Sequence, residues 1–449
     1  MKRRGFIKLS LFLGSAILMP KYTYASTLDV SKIDFSSDIY EENNAQTIII
    51  FMYGGASQLA GNISNLEDIK NKSQSSYSYF GTITNTENNC WSEAGGSYME
   101  DLIGDGDMTI FRCCYSKVRE DADIRAHAIC TEENQKGTFD TTSGGIFANL
   151  AQILEANGVV DQNSLMPFVT MESDSKFFEE DSNPLSSYLK PVGINEKFDN
   201  PYARNVRYWT YYTHEEREDD NYTSKDPALD LTMDKIAQAN NEAGKIKDIF
   251  SKRAEISKFI DDVANTQTPD LGDDAYPSND FSPKIEAAIN LLGANPDTKV
   301  ITLGTGGLGG WDDHNGARDY VSRMNNLFAS LKSAMAHIKA LEKEDSINIM
   351  VFAEFGRNVN LNSANGWDHG NLQNLYVLGG KGYFNHKGIV GETILDDTGS
   401  LNRLWLKPAK DTYWFEPNSI ASTLYKIYGI QNPEILTDGY GVIEPLFES

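Results

Sequence analysis

The chain has 449 residues, of which 40% are hydrophobic and 11% aromatic. That is enough apolar material for a large folded core and too much for a disordered chain. Its formal net charge of -24 speaks against nucleic-acid phosphates or an anionic bilayer as partners, because both are held by surplus Lys and Arg.

The chain opens with MKRRGFIKLSLFLGSAILMPKYTYAS. A basic start precedes a short apolar run, Leu9 to Met19, and the small-residue site around Thr23-Tyr24-Ala25 suits cleavage. The run is too short for a comfortable bilayer span. Arg3-Arg4 followed by Gly5-Phe6-Ile7-Lys8 resembles a twin-arginine export signal. Residues 1–25 therefore read as a signal peptide and 26–449 as the mature domain of a periplasmic or extracellular protein, with no stable membrane anchor after cleavage. The four cysteines, Cys90, Cys113, Cys114 and Cys130, crowd one stretch. In an oxidising compartment they predict one or two structural disulfides, and adjacent Cys113 and Cys114 on a strand would face opposite ways.

Thr47 to Met52 (TIIIFM) is a continuous apolar, β-branched run, as a buried parallel strand requires, and glycines follow at once. A second run covers 108–112. Residues 144–156 have helical spacing, with Thr142 or Ser143 as the expected N-cap. Residues 165–170 fit another strand. The segment 173–282 has a polar first part, then a charged helical pattern and a loop. It reads as an insert. Lys284 to Leu292 is helical. In the last third, strands are predicted at 299–303, 347–352 and 374–378, with helices over 318–341 and 419–428. This alternation predicts an α/β fold with a mostly parallel sheet, in which ligand sites gather at the loops leaving the carboxyl ends of strands.

Three such loops carry chemistry. After KVITL comes a glycine-rich loop with Asp312, Asp313 and His314. After INIMVF come Glu354 and Arg357. Beyond that loop come Asp368 and His369. Carboxylates and neutral imidazoles together suit zinc, manganese or iron better than calcium. His337, His214 and His386 read as structural or surface residues. The aromatic stretch 202–214 reads as packing surface, with a glycan platform as the alternative.

GGWDDH, AEFGRN and GWDHG, in this order and spacing, resemble the DTH, SEFGR and TDHG signatures of a twin-arginine-exported family related to the alkaline phosphatase and sulfatase superfamily. The resemblance extends to FMYGGASQLAG and to an Arg-x-His segment, Arg125 and His127. It implies an alkaline-phosphatase-like three-layer α/β/α fold. It also implies a divalent metal, zinc first and manganese as the alternative, held by Asp312, His314, Glu354, Asp368 and His369. Arg357, by its bidentate geometry, is the candidate clamp for an anionic ester, and His127 joins the catalytic candidates. The family's Asp after GGA is here Ser57, and its Arg-Ser-His is here Arg125-Ala126-His127, so its candidate nucleophile is missing. Thr142 and Ser143, before a predicted helix, are the substitutes, Ser143 first, and Ser57 is a further alternative, as nucleophile or as a poor metal ligand. Two functions follow: hydrolysis of phosphate or sulfate esters on a small anionic ester or glycan substrate, or a non-catalytic cell-envelope role with a degenerate site.

Overall fold

A computed structural model describes residues 27–72, 77–172, 175–198, 255–256, 258–396 and 404–448. The signal segment, the aromatic stretch 202–214, His214 and most of the expected insert lie outside the described residues.

Among the described residues, twelve strands occur in chain order: β1 Gln46–Met52, β2 Met108–Tyr115, β3 Phe168–Thr170, β4 Val192–Gly193, β5 Val300–Gly304, β6 Ile347–Ala353, β7 Gly356–Arg357, β8 His369–Gly370, β9 Leu372–Gly379, β10 Gly388–Val390, β11 Thr393–Asp396 and β12 Trp405–Pro408. Eight form one sheet in the order β10-β2-β9-β6-β1-β5-β3-β4. β1 pairs in parallel with β5 and β6, β3 with β4 and β5, and β10 with β2. Only β9 runs against its neighbours β2 and β6. Seven strands therefore share one carboxyl edge, and β9 begins at that same edge.

The apolar β1 run explains the layering. Its residues alternate sides: Ile48, Ile50 and Met52 enter one core, and Ile49 and Phe51 the other. The helices around the sheet include α1 His127–Lys136, α2 Ile146–Ala156, α3 Ser282–Ala294, α4 Tyr320–Ala340 and α5 Asn418–Ile427, of which α2 to α5 bury these faces. Ile285, Ala288 and Leu291 of α3 and Met324, Leu327 and Leu331 of α4 join the first core. Leu150, Ile153 and Leu154 of α2 and Ile420 and Leu424 of α5 join the second. The result is the expected three-layer α/β/α arrangement.

Three local expectations change. All four cysteines are free and buried. Cys113 and Cys114 do face opposite ways, one into each core, and burial raises every one of these thiols. The cap of α2 is Gly145, with no side-chain cap bond, so neither Thr142 nor Ser143 fills that role. His386 is half-buried and bridges two elements: its Nε2 donates to the Gly379 carbonyl at 2.8 Å, and Nδ1 lies 3.2 Å from Thr109 Oγ1. His337 is buried, as expected. No helix among the described residues is long and apolar enough to cross a membrane.

Candidate metal centre

The loops at the shared edge interlock through backbone approach. Gly54, after β1, has φ +103°, and a Cβ there would lie 2.4 Å from the Asp312 nitrogen. A Cβ on Gly366 would lie 2.2 Å from the carbonyls of both Asp313 and His314. Glycine is what lets the three loops touch. Buried Trp311 and Trp367 frame the contact, and Phe355 lies under His127 and His369 with ring centroids 5.0 and 4.5 Å away.

On this base His127, Asp312, His314 and His369 converge, one donor atom from each lying within 4.8 Å of the others. The hydrogen-bond partners assign the tautomers. His127 Nδ1 faces the Glu354 carboxylate, and His369 Nδ1 faces the Arg125 carbonyl. His314 Nδ1 lies 3.1 Å from Asp368 Oδ1. These partners only accept, so each ring carries its proton on Nδ1 and turns a lone pair on Nε2 inward. There, His314 Nε2 lies 2.7 Å from His369 Nε2, and Asp312 Oδ1 lies 3.3 Å from His314 Nε2 and 3.5 Å from His127 Nε2. Three lone pairs and a carboxylate oxygen facing one another are unfavourable unless a cation sits among them. Imidazoles held from behind by oxygen acceptors are what metal-ligating histidines require, and three nitrogens with one oxygen suit zinc. The residues therefore fit a metal.

Burial and the nearby Arg357, His127 and His314 keep the His369 imidazole neutral, its pKa down to about 4 despite the Arg125 carbonyl. Burial works to raise Asp312, but the hydrogen bond and charge of Arg357, with His127 and His314, hold it below the usual carboxylate range. Both effects leave the donor atoms in their metal-binding forms.

The expected site residues take revised positions. Asp312, His314 and His369 meet as predicted. His127, expected to be catalytic, sits among the donors. Glu354 is 2% exposed at its side chain and backs His127, with Thr131 Oγ1 donating to it at 2.7 Å. Asp368 backs His314. Both carboxylates stand one layer outside the donor set. Arg357 cannot clamp a substrate as it stands. Its side chain is fully buried, and its donors go to the carbonyls of Gly54, Gly55, Trp311 and Trp367 and to Asp312 Oδ1 at 2.8 Å. Asp313 turns away and is buried against Arg323 at 2.5 Å. Ser143 lies in a different cavity of about 310 Å³, with Asp140, Asn149 and Asp438. Ser57 caps a short helical turn, accepting from the Leu59 nitrogen. Sequence reasoning passed over Thr131. The signal for it was its spacing four residues after His127, which puts both side chains on one helix face toward Glu354.

A cavity of about 340 Å³ opens beside the cluster, lined by Asp123, Arg125, Ala126, His314, Asp368 and His369. Arg125 is tied to Glu120 at 3.0 Å and to Asp123.

No curated protein matches this chain. Among solved structures it is similar to Ps i-CgsB, determined in complex with k-i-k-neocarrahexaose, at 9% identity and a TM-score of 0.37, covering 89% of this chain and 75% of that one. It is also similar to the alkaline phosphatase from the Antarctic bacterium TAB5, at 10% identity and a TM-score of 0.32, covering 85% and 98%. A family profile described as "Protein of unknown function (DUF1501)" matches residues 214–398, a stretch that contains Asp312, His314, Glu354, Arg357, Asp368 and His369 but not Arg125, His127 or Thr131.

Proposed function

We propose that this chain is an exported, metal-dependent hydrolase of phosphate or sulfate esters. The observation that supports it is the inward convergence of three Nε2 lone pairs and Asp312 Oδ1, with each ring fixed from behind. His127, Asp312, His314 and His369 would hold a divalent ion, and that ion would supply Lewis-acid polarisation of an ester oxygen. The other residues prepare the site. Glu354, Asp368 and the Arg125 carbonyl fix the ring tautomers. Arg357 keeps Asp312 ionised, and Phe355 shields the floor from water. With Ser57 and Ser143 engaged elsewhere, the nucleophile in this reading is solvent water, which yields an alcohol and the free oxyacid.

Ala126 favours a second reading. It lines the cavity beside the donors without a hydroxyl, so a binding or assembly role that keeps the metal is the alternative. Metal analysis of protein purified without chelators, beside a His314→Ala/His369→Ala double variant, tests both. One equivalent of zinc or manganese, lost in the variant, is expected. Turnover of aryl phosphate or aryl sulfate by the loaded protein then selects hydrolysis. Loaded protein inert to both leaves the second reading, and metal-free wild type overturns the two together.

A further inference from the structure

The cavity beside the metal donors is lined by Asp123, Arg125, Ala126, His314, Asp368 and His369. Of these, Arg125 alone carries a permanent positive charge. Its backbone is part of the centre, because its carbonyl accepts from His369 Nδ1. Its guanidinium is also placed: it lies over the Trp405 ring at 5.3 Å, and Trp405 Nε1 donates to the His369 carbonyl at 3.4 Å. A guanidinium fixed on the same wall as two metal donors is suited to hold an oxyanion beside them.

Two carboxylates occupy this guanidinium in the structure, and they are held very differently. Glu120 Oε2 accepts from Arg125 Nη2 at 3.0 Å and also from the Asn371 amide at 2.5 Å. Asp123 accepts from Arg125 Nη1, and Arg125 is the one partner of its carboxylate among the described residues. The Asp123 side chain is 86% exposed, against 14% for Arg125. A pair with one member this exposed contributes little to stability and is easily opened.

The backbone at Asp123 is closed without help from that carboxylate. The short helix Lys117–Asp121 ends in a left-handed residue, Asp123, with φ +53°. The Asp123 nitrogen donates to the Glu120 carbonyl at 3.2 Å, and the Ile124 nitrogen donates to the Arg119 carbonyl at 2.9 Å. In this helix ending glycine usually takes the left-handed place, and Asp is among the few other residues that enter it readily. The carboxylate can therefore leave Arg125 by side-chain rotation alone, with the loop unchanged. Asp368, the other carboxylate on the wall, has no such freedom, since its Oδ1 lies 3.1 Å from His314 Nδ1 and fixes that ring. The exchangeable negative charge of the cavity is thus the single charge of Asp123. An anion that brings one charge restores the resting balance. An anion that brings two adds an unmatched charge near Asp368 and Glu120.

We propose that the Asp123 carboxylate is a built-in stand-in for the anionic group of the substrate. It occupies Arg125 in the resting protein, and a singly charged ester, either a sulfate monoester or a phosphate diester, displaces it. This rests on the hydrolase reading for what the ester meets next, but the displacement itself is measurable without turnover.

The experiment titrates the full chain in a calorimeter at about pH 8, with zinc and after chelator treatment. The probes are methyl sulfate and dimethyl phosphate, each singly charged, and methyl phosphate, which is doubly charged there. Wild type is expected to bind at least one singly charged probe about tenfold or more tighter than methyl phosphate, and which one it prefers distinguishes sulfate esters from phosphate diesters. Asp123→Asn keeps the left-handed turn and should tighten that binding by about twofold to fivefold in both forms. Arg125→Gln should abolish it while leaving zinc content unchanged, because the backbone carbonyl that holds His369 remains. In the Arg125→Gln background, Asp123→Asn should gain nothing. Asp123→Asn binding no tighter than wild type overturns the proposal, and so does an equal gain without Arg125, a preference for methyl phosphate, or no binding of any probe. If the probes behave as expected but neither an aryl sulfate nor a bis-aryl phosphate is turned over, the hydrolase reading falls and the role of Asp123 stands.

Discussion

Replacing Glu354 with glutamine separates a residue that holds the metal from one that holds a ligand. The carboxylate is 2% exposed at its side chain and spends its oxygens on His127 Nδ1 and Thr131 Oγ1. Glutamine keeps the volume and one acceptor oxygen but removes the charge that fixes the ring and makes it a stronger donor. Loss of such an outer partner weakens metal binding by about 10–100-fold, or roughly 1.4–2.8 kcal/mol. His369→Ala, which removes a donor nitrogen outright, should reduce binding far more. Zinc affinity is read by competition with a chromophoric chelator near neutral pH, and urea unfolding of the metal-free forms confirms that each variant folds. Unchanged affinity in Glu354→Gln would refute the orienting role. A loss equal to that of His369→Ala, in folded protein, would return Glu354 to the donor set.

Arg357→Lys should cost about 3–5 kcal/mol in urea unfolding, because a lysine cannot reach the four carbonyls and Asp312 that the buried guanidinium satisfies. His337 is buried with its Nδ1 3.1 Å from Tyr276 Oη, and burial lowers its pKa to about 4. Its neutral form is favoured by folding, so this stability is complete above the unfolded value near 6.5. It is lost as pH falls from there toward 4, by about 3 kcal/mol in all. His337→Leu should flatten that slope in metal-free protein, and an unchanged slope would count against the assignment. Ser143→Ala should leave zinc affinity unaltered in the same chelator competition, since Ser143 lines the other cavity.

The fold was legible because its strands are unusually uniform. TIIIFM and INIMVF can be buried only between two helical layers, and both are buried throughout. The site was legible as a place: motifs after β5 and β6 and before β9 had to meet once seven strands shared an edge. Which residue of each motif points inward was not legible. Asp312 and Asp313 are chemically identical in sequence, yet one faces the donors and the other faces Arg323. Glu354 and Asp368 look like ligands until their histidine partners are seen. Arg357 resembles an anion clamp until its carbonyl contacts are seen. These assignments depend on loop conformations that local composition does not encode.

The donors and their supports stand on different loops. His127, from the segment after β2, is held by Glu354 after β6. His314, after β5, is held by Asp368 before β9. His369, before β9, is held by the Arg125 carbonyl after β2. Asp312, after β5, is held by Arg357 after β6. No loop positions its own donor. Displacing one support therefore frees a donor on another loop, and because the donors share one ion, losses should couple rather than add. In a site of independent ligands, Glu354→Gln and Asp368→Asn would sum in their effect on zinc affinity. In this coupled centre the second change meets a site already loosened, and the double variant should fall short of that sum.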